Sequence, residues 1–177
     1  DITIGGSAPG AGNVIANSGQ DSLNGHGIRL TNGDGVMILG NTIGLDATGL
    51  VAMGIAGDGI HVSMATDLTI RSNVIANSGA SGIKLDDPGI DGVTIAGNLI
   101  GTDATGLAAM GNAGDGITVD EADNVTIGGP NEADRNVIAA STFFGIAIAT
   151  ADGVTIQGNY VGTDATGMAE LLNDYGA

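Results

Sequence analysis

Three residues able to neutralise an acid or move a proton recur at one place in a repeated word. Arg29, His61 and Lys84 each stand third in a G-I-x-[LVI] segment, at 27–30, 59–62 and 82–85. Thr118 and Ala147 hold the same place at 116–119 and 145–148. Segments stacked as strands in register would bring these side chains into one outward row. A guanidinium, an imidazole and an ammonium in a row could bind a carboxylate-bearing substrate and support proton abstraction. The same row also reads as cross-strand charge balance with the neighbouring Asp86 and Asp87.

Carboxylates recur just as regularly. Asp34, Asp91, Asp123 and Asp152 each lie two residues before a [VIL]-x-I segment. The last three fall on consecutive repeats, so a stacked fold would set their carboxylates about 5 Å apart. Like charges at that spacing repel unless they splay into water or share a cation. Asp46 with Asp58, and Asp103 with Asp115, bracket a second set of loops reading D-A-T-G. Calcium takes oxygen ligands in loose geometry and suits either set, so Ca²⁺ is the one cofactor the sequence suggests. Asp is also a common turn residue for local reasons, because its side chain bonds nearby backbone amides.

The elements that would position these residues follow a strict rotation. G-I-x-[LVI] is followed by [VIL]-x-I and then by N-x-[IV]. The last class begins at Asn13, Asn41, Asn73, Asn98, Asn136 and Asn159. Short apolar alternation bounded by Gly, Asn and Asp is a strand pattern. Three classes in fixed order imply three parallel sheets, each strand stacking on its equivalent one turn later. Ile4, Ile38, Ile70, Ile95, Ile127 and Ile156 supply one core column at intervals of 34, 32, 25, 32 and 29 residues. The longer intervals hold insertions between strands: Gln20 to Asn24, the DATG loops, and Gly129 to Asp134. The asparagines form an expected ladder, because Asn tolerates a left-handed backbone and its amide can bond the amides above and below. On the second strand Thr3, Met37, Thr69, Thr94, Thr126 and Thr155 face outward, a threonine row compatible with ice binding or with plain solvent exposure. Three near-copies, at 40–60, 97–117 and 158–174, make the repeat a two-turn unit in which alternate turns carry the DATG loop.

Composition narrows the classes. The chain has 177 residues, one domain's length, 42% of them hydrophobic but only 2% aromatic. The core is therefore aliphatic and narrow. The 33 glycines show no collagen period and fit many tight turns. Four Lys and Arg against 20 Asp and Glu give a formal net charge of −16, which excludes nucleic acid as a partner. No apolar run approaches a membrane helix. Cysteine is absent, so disulfides play no part. Both ends fall inside the repeat, so the expectation is one β-helical domain over 1–177 that forms part of a longer repeat protein.

The asparagine turns and the N-x-I-G-T-D-A-T-G segment resemble those of right-handed parallel β-helices of the pectate-lyase-like superfamily. They are closer still to the parallel β-helix repeats of large bacterial surface and secreted proteins. The resemblance covers essentially the whole chain. It implies an all-β, right-handed parallel solenoid of about five to six coils, and an extracellular or cell-surface location. Enzymes of that superfamily usually place their groove on the sheet that here carries Arg29, His61 and Lys84. Gly25-His26-Gly27 is similar to the short G-H-G of polygalacturonases, whose paired aspartates and N-T-D do not precede it here. The expected function is a structural repeat segment: stalk, filament component or adhesin-type surface, with end-to-end or lateral self-association. The alternatives are a polysaccharide lyase or epimerase centred on the basic row, or a non-catalytic glycan-binding module on the same sheet. An active site needs unlike residues converging once, and near-identical repeats favour the structural expectation.

Overall fold

A computed structural model describes residues 2–19 and 25–175. The expected insertion from Gln20 to Asn24 lies outside the described residues. The chain winds through about five turns of a parallel solenoid in which every named sheet pairing is parallel. The first sheet stacks Ile28–Leu30, Ile60–Val62, Ile83–Asp86, Ile117–Asp120 and Ile146–Ala149. The second stacks Ile2–Gly5, Val36–Leu39, Thr69–Arg71, Thr94–Ala96, Thr126–Gly128 and Thr155–Gln157. The third stacks two-residue strands: Val14–Ile15, Thr42–Ile43, Val74–Ile75, Leu99–Ile100, Val137–Ile138 and Tyr160–Val161. A small pair, Gly33–Asp34 with Ala65–Thr66, sits at the corner between the first two. The only helical element among the described residues is the 3₁₀ turn Glu132–Asp134.

Register follows the pattern of the sequence. Ile38 pairs with Ile70, Ile95 with Ile70 and Ile127, and Ile127 with Ile156. Ile38, Ile70, Ile95 and Ile127 are fully buried, whereas Ile156 is 49% exposed on the last turn. Each buried isoleucine contributes roughly 1.5–3 kcal/mol by leaving water. Turns between strands must be tight, and two positions show the constraint plainly. Gly44 and Gly101 have φ of +83° and +78°, and a Cβ there would lie 1.8 Å from the Ala76 and Ala139 carbonyl oxygens. Only glycine accepts both the backbone sign and the contact.

The asparagine ladder runs the length of the rod. Asn98 Nδ2 donates to Asn136 Oδ1 at 3.0 Å and to the Ile70 carbonyl of the preceding turn at 2.9 Å. Its Oδ1 accepts the Asn73 backbone N–H at 2.9 Å and Asn73 Nδ2 at 3.1 Å. The same pattern links Asn13 to Asn41, Asn41 to Asn73, and Asn136 to Asn159. Each interior rung thus ties three successive turns together.

The DATG loops are small hairpins, closed by the bridges Leu45–Ala52, Thr102–Ala109 and Thr163–Glu170. They stack directly on one another. Ala104 N–H donates to the Gly49 carbonyl and Ala165 N–H to the Gly106 carbonyl, both at 2.9 Å. A hairpin is two strands wide, ~9.6 Å, which is the rise of two solenoid turns. Alternate turns carry a loop because one hairpin fills the height of two.

Candidate functional site

The basic row forms as the spacing implies: Arg29 pairs in register with His61, His61 with Lys84, Lys84 with Thr118 and Thr118 with Ala147. What surrounds it was less legible. Three residues before each row position lies a second column: His26, Asp58, Ser81, Asp115 and Phe144. At Gly27, Gly59, Gly82 and Gly116, which follow the first four, the backbone lies so close to the next turn that a Cβ would meet the carbonyl oxygen of the glycine above. Asp58 and Asp115 use the same geometry. One oxygen of each caps the next turn, Asp58 Oδ1 on Ser81 N–H at 2.9 Å and Asp115 Oδ1 on Phe144 N–H at 3.0 Å. The other oxygen meets the row residue of its own turn, His61 Nδ1 at 2.9 Å and Thr118 Oγ1 at 2.8 Å.

His26 completes the site. Its ring stacks on His61 with centroids 4.4 Å apart, and its Nδ1 lies 3.3 Å from Asp58 Oδ2. Side chains of His26, Asp58 and His61 are 8%, 6% and 13% exposed. On the outer side His61 Nε2 lies 3.3 Å from Asp86 Oδ1, and Lys84 Nζ donates to Asp86 Oδ2 at 2.9 Å. Burial is the largest influence on His26 and pushes its pKa below the ordinary imidazole value, which keeps the ring neutral near pH 7. Lys84 moves the other way: the hydrogen bond to Asp86 raises its pKa. A lysine held more firmly protonated serves as a cation and is poorly suited to act as a general base.

In the turn column, the carboxylates of Asp34, Asp91 and Asp123 are engaged locally. Asp34 accepts the Thr66 hydroxyl at 2.7 Å, Asp91 accepts Asn124 Nδ2 at 2.7 Å, and Asp123 accepts the Asp152 N–H at 2.9 Å. Their like charges are spread over turn donors. Asp46 and Asp103 close their hairpins: each takes the hydroxyl of the threonine two residues on, at 2.7 Å, and two backbone amides. Asp46 and Asp58 therefore serve different structures, as do Asp103 and Asp115. Among the described residues, the one group of three or more His, Cys, Asp and Glu whose ligand atoms converge within 4.8 Å is His26, Asp58 and His61. The sequence pointed to His61 and Asp58 separately and to His26 only through G-H-G. The signal that joins them is positional: H-G-I-R and D-G-I-H are the same word one turn apart.

A concavity of about 460 Å³ is lined by Ile55, Ser78, Asn112 and Thr142 among others. Its lining residues carry no charge. Ser78 Oγ and Asn112 Nδ2 are buried there without a hydrogen-bond partner.

Fold and site together define a parallel β-solenoid with a polar cluster on one sheet. A family model described as right handed beta helix region matches residues 2–113, and the chain belongs to that family. No curated protein and no solved structure matches it.

Proposed function

We propose that the chain is a structural repeat segment of an extracellular or cell-surface protein, acting as a stalk that presents an adhesin-type surface. The observation that carries this reading is the column of stacked DATG hairpins. It repeats an exposed apolar side chain at one place in each hairpin along the rod, Leu50 at 48%, Leu107 at 54% and Met168 at 87% exposure, with Val51 beside Leu50 at 57%. Evenly repeated apolar contacts suit a multivalent or laterally associating surface better than a single catalytic centre. The ladder and the tied hairpins supply the stiffness a stalk needs. Antibody raised against the chain should label intact cells that express the parent protein. Labelling confined to permeabilised cells would overturn the reading.

The outer face of the first sheet favours glycan binding as the second reading. Asp86 and Asp120 pair in register there beside the protonated Lys84, offering hydroxyl acceptors next to a cation. Binding on a glycan array that is lost in Asp86→Asn would support it. Turnover of acidic polysaccharide, lost in Lys84→Ala, would instead favour a lyase.

A further inference from the structure

Two imidazoles and a carboxylate meet between the first two turns of the first sheet, and their polar atoms do not satisfy one another. His61 Nδ1 can give its ring proton to Asp58 Oδ2 at 2.9 Å. His26 is placed differently. Its Nδ1 accepts the Asp58 backbone N–H at 3.1 Å, so that atom presents a lone pair. The same atom lies 3.3 Å from Asp58 Oδ2, which presents another. Neither neutral tautomer of His26 satisfies both contacts in this nearly solvent-free position: an Nδ1 lone pair leaves the contact with Oδ2 unpaired, and an Nδ1–H gives up the Asp58 amide. A proton on Nδ1 would bridge to Oδ2 only by displacing the Asp58 N–H. A cation that accepts nitrogen and oxygen donors would bind both lone pairs at once.

We infer that His26, Asp58 and His61 form a binding site for a divalent transition-metal ion of the zinc class. The donor set selects the metal: imidazole suits Zn²⁺, Cu²⁺, Ni²⁺ and Fe²⁺, whereas Ca²⁺ prefers oxygen throughout. The outer residues are arranged to support it. Ser81 N–H occupies Asp58 Oδ1 and leaves Oδ2 as the single ligand oxygen. With His61 Nδ1 on the metal, its ring proton moves to Nε2 and faces Asp86 Oδ1, the carboxylate–imidazole pairing that orients metal-bound histidines. Lys84 holds the other oxygen of Asp86 in place. Binding takes over the His26 lone pair that the Asp58 amide now occupies, and both imidazoles must be neutral to bind, so affinity falls as the solution is acidified. Three protein ligands leave a fourth position for water. This inference does not depend on the structural role proposed above.

The test uses the whole chain stripped with EDTA, titrated with ZnCl₂ by calorimetry and with CoCl₂ by visible absorption. The expected result is one Zn²⁺ per chain and the strong d–d bands of a four-coordinate, nitrogen-containing cobalt site. Calcium in large excess should leave those bands unchanged. His61→Gln should abolish stoichiometric binding, and Asp86→Asn should weaken it about 10–100-fold. Asp91→Asn, in the unrelated turn column, should bind as the wild type does. Absence of zinc uptake, an octahedral cobalt spectrum, displacement by calcium, or an undiminished affinity in folded His61→Gln would each overturn the inference. Should His61→Gln fail to fold, the wild-type cobalt spectrum and calcium competition decide alone.

Discussion

Replacing Asn98 by alanine removes an interior rung of the ladder and isolates its energetic role. The side chain is fully buried and makes four hydrogen bonds, to Ile70 O, Asn136 Oδ1, Asn73 N and Asn73 Nδ2. Asn73 Nδ2 keeps its bonds to the Ile38 and Arg71 carbonyls, and Asn136 Oδ1 keeps the Asn98 backbone N–H. The Asn73 backbone N–H loses its acceptor within the interior. An unmade buried bond of that kind costs about 1–3 kcal/mol, and each remaining lost bond about 1 kcal/mol net. The expected loss is therefore roughly 4–6 kcal/mol, a large share of a domain's stability. Asn13→Ala provides the internal comparison. Asn13 is exposed, and alanine keeps its backbone N–H bond to Asn41 Oδ1 and loses only the Nδ2 bond, so the change should cost about 1 kcal/mol or less. Urea unfolding of both variants, followed by circular dichroism at matched m-values, measures the difference. Equal losses below about 1 kcal/mol would refute the view that the ladder holds the turns together.

Three further outcomes follow from the same geometry. Ile95→Asp places a carboxylate in the fully buried column and should abolish the cooperative melt of the middle turns; a wild-type melt would show that this column faces solvent. The hairpin aspartates should give the rod an acid-sensitive component. Hydrogen bonds from Thr48 and Thr166 hold Asp46 and Asp164 below the ordinary carboxylate value. Burial alone would raise Asp103, but its bonds from Thr105 and the loop amides outweigh it. Folded values below unfolded ones mean stability that is complete above the ordinary value of 3.8 and lost as pH falls through the depressed folded values. Urea midpoints measured down through pH 4 should decline less steeply in the Thr48→Val, Thr105→Val, Thr166→Val triple variant. Arg71, which clamps the 3₁₀ turn by donating to Asp134 Oδ1 at 2.7 Å, is also the largest reason that the Asp134 pKa is lowered. Arg71→Ala should raise the Asp134 titration midpoint in carboxyl NMR, and an unmoved midpoint would refute the clamp.

The parts of this molecule that repeat could be read from the sequence, and the parts that depend on distance between turns could not. Ile38, Ile70 and Ile95 announce the core because alternation and recurrence mark them twice over. Asn73 and Asn98 announce the ladder in the same way. The row Arg29, His61 and Lys84 is equally legible, since register alone creates it. His26 is another matter. Its approach to Asp58 depends on the column three residues before the row, where the residue types differ at every turn: His, Asp, Ser, Asp, Phe. A column of unlike residues leaves no periodic signal. Arg71 meets Asp134 across one intervening turn, 63 residues away, because the Gly129 to Asp134 insertion folds back along the rod. Regular spacing of the DATG loops was readable, but their direct contact depends on hairpin width against turn rise, which are properties of strands and not of letters.

That match of width to rise limits how such a rod can lengthen. Duplicating a single turn would either crowd two hairpins into the height of one or leave an unfilled step in the outer column. Duplicating two turns, a module of 57 to 61 residues between successive loop-bearing asparagines, preserves every Ala-to-Gly bond along it. Only duplication of whole modules would keep that outer column intact, and each would lengthen the rod by about 1 nm.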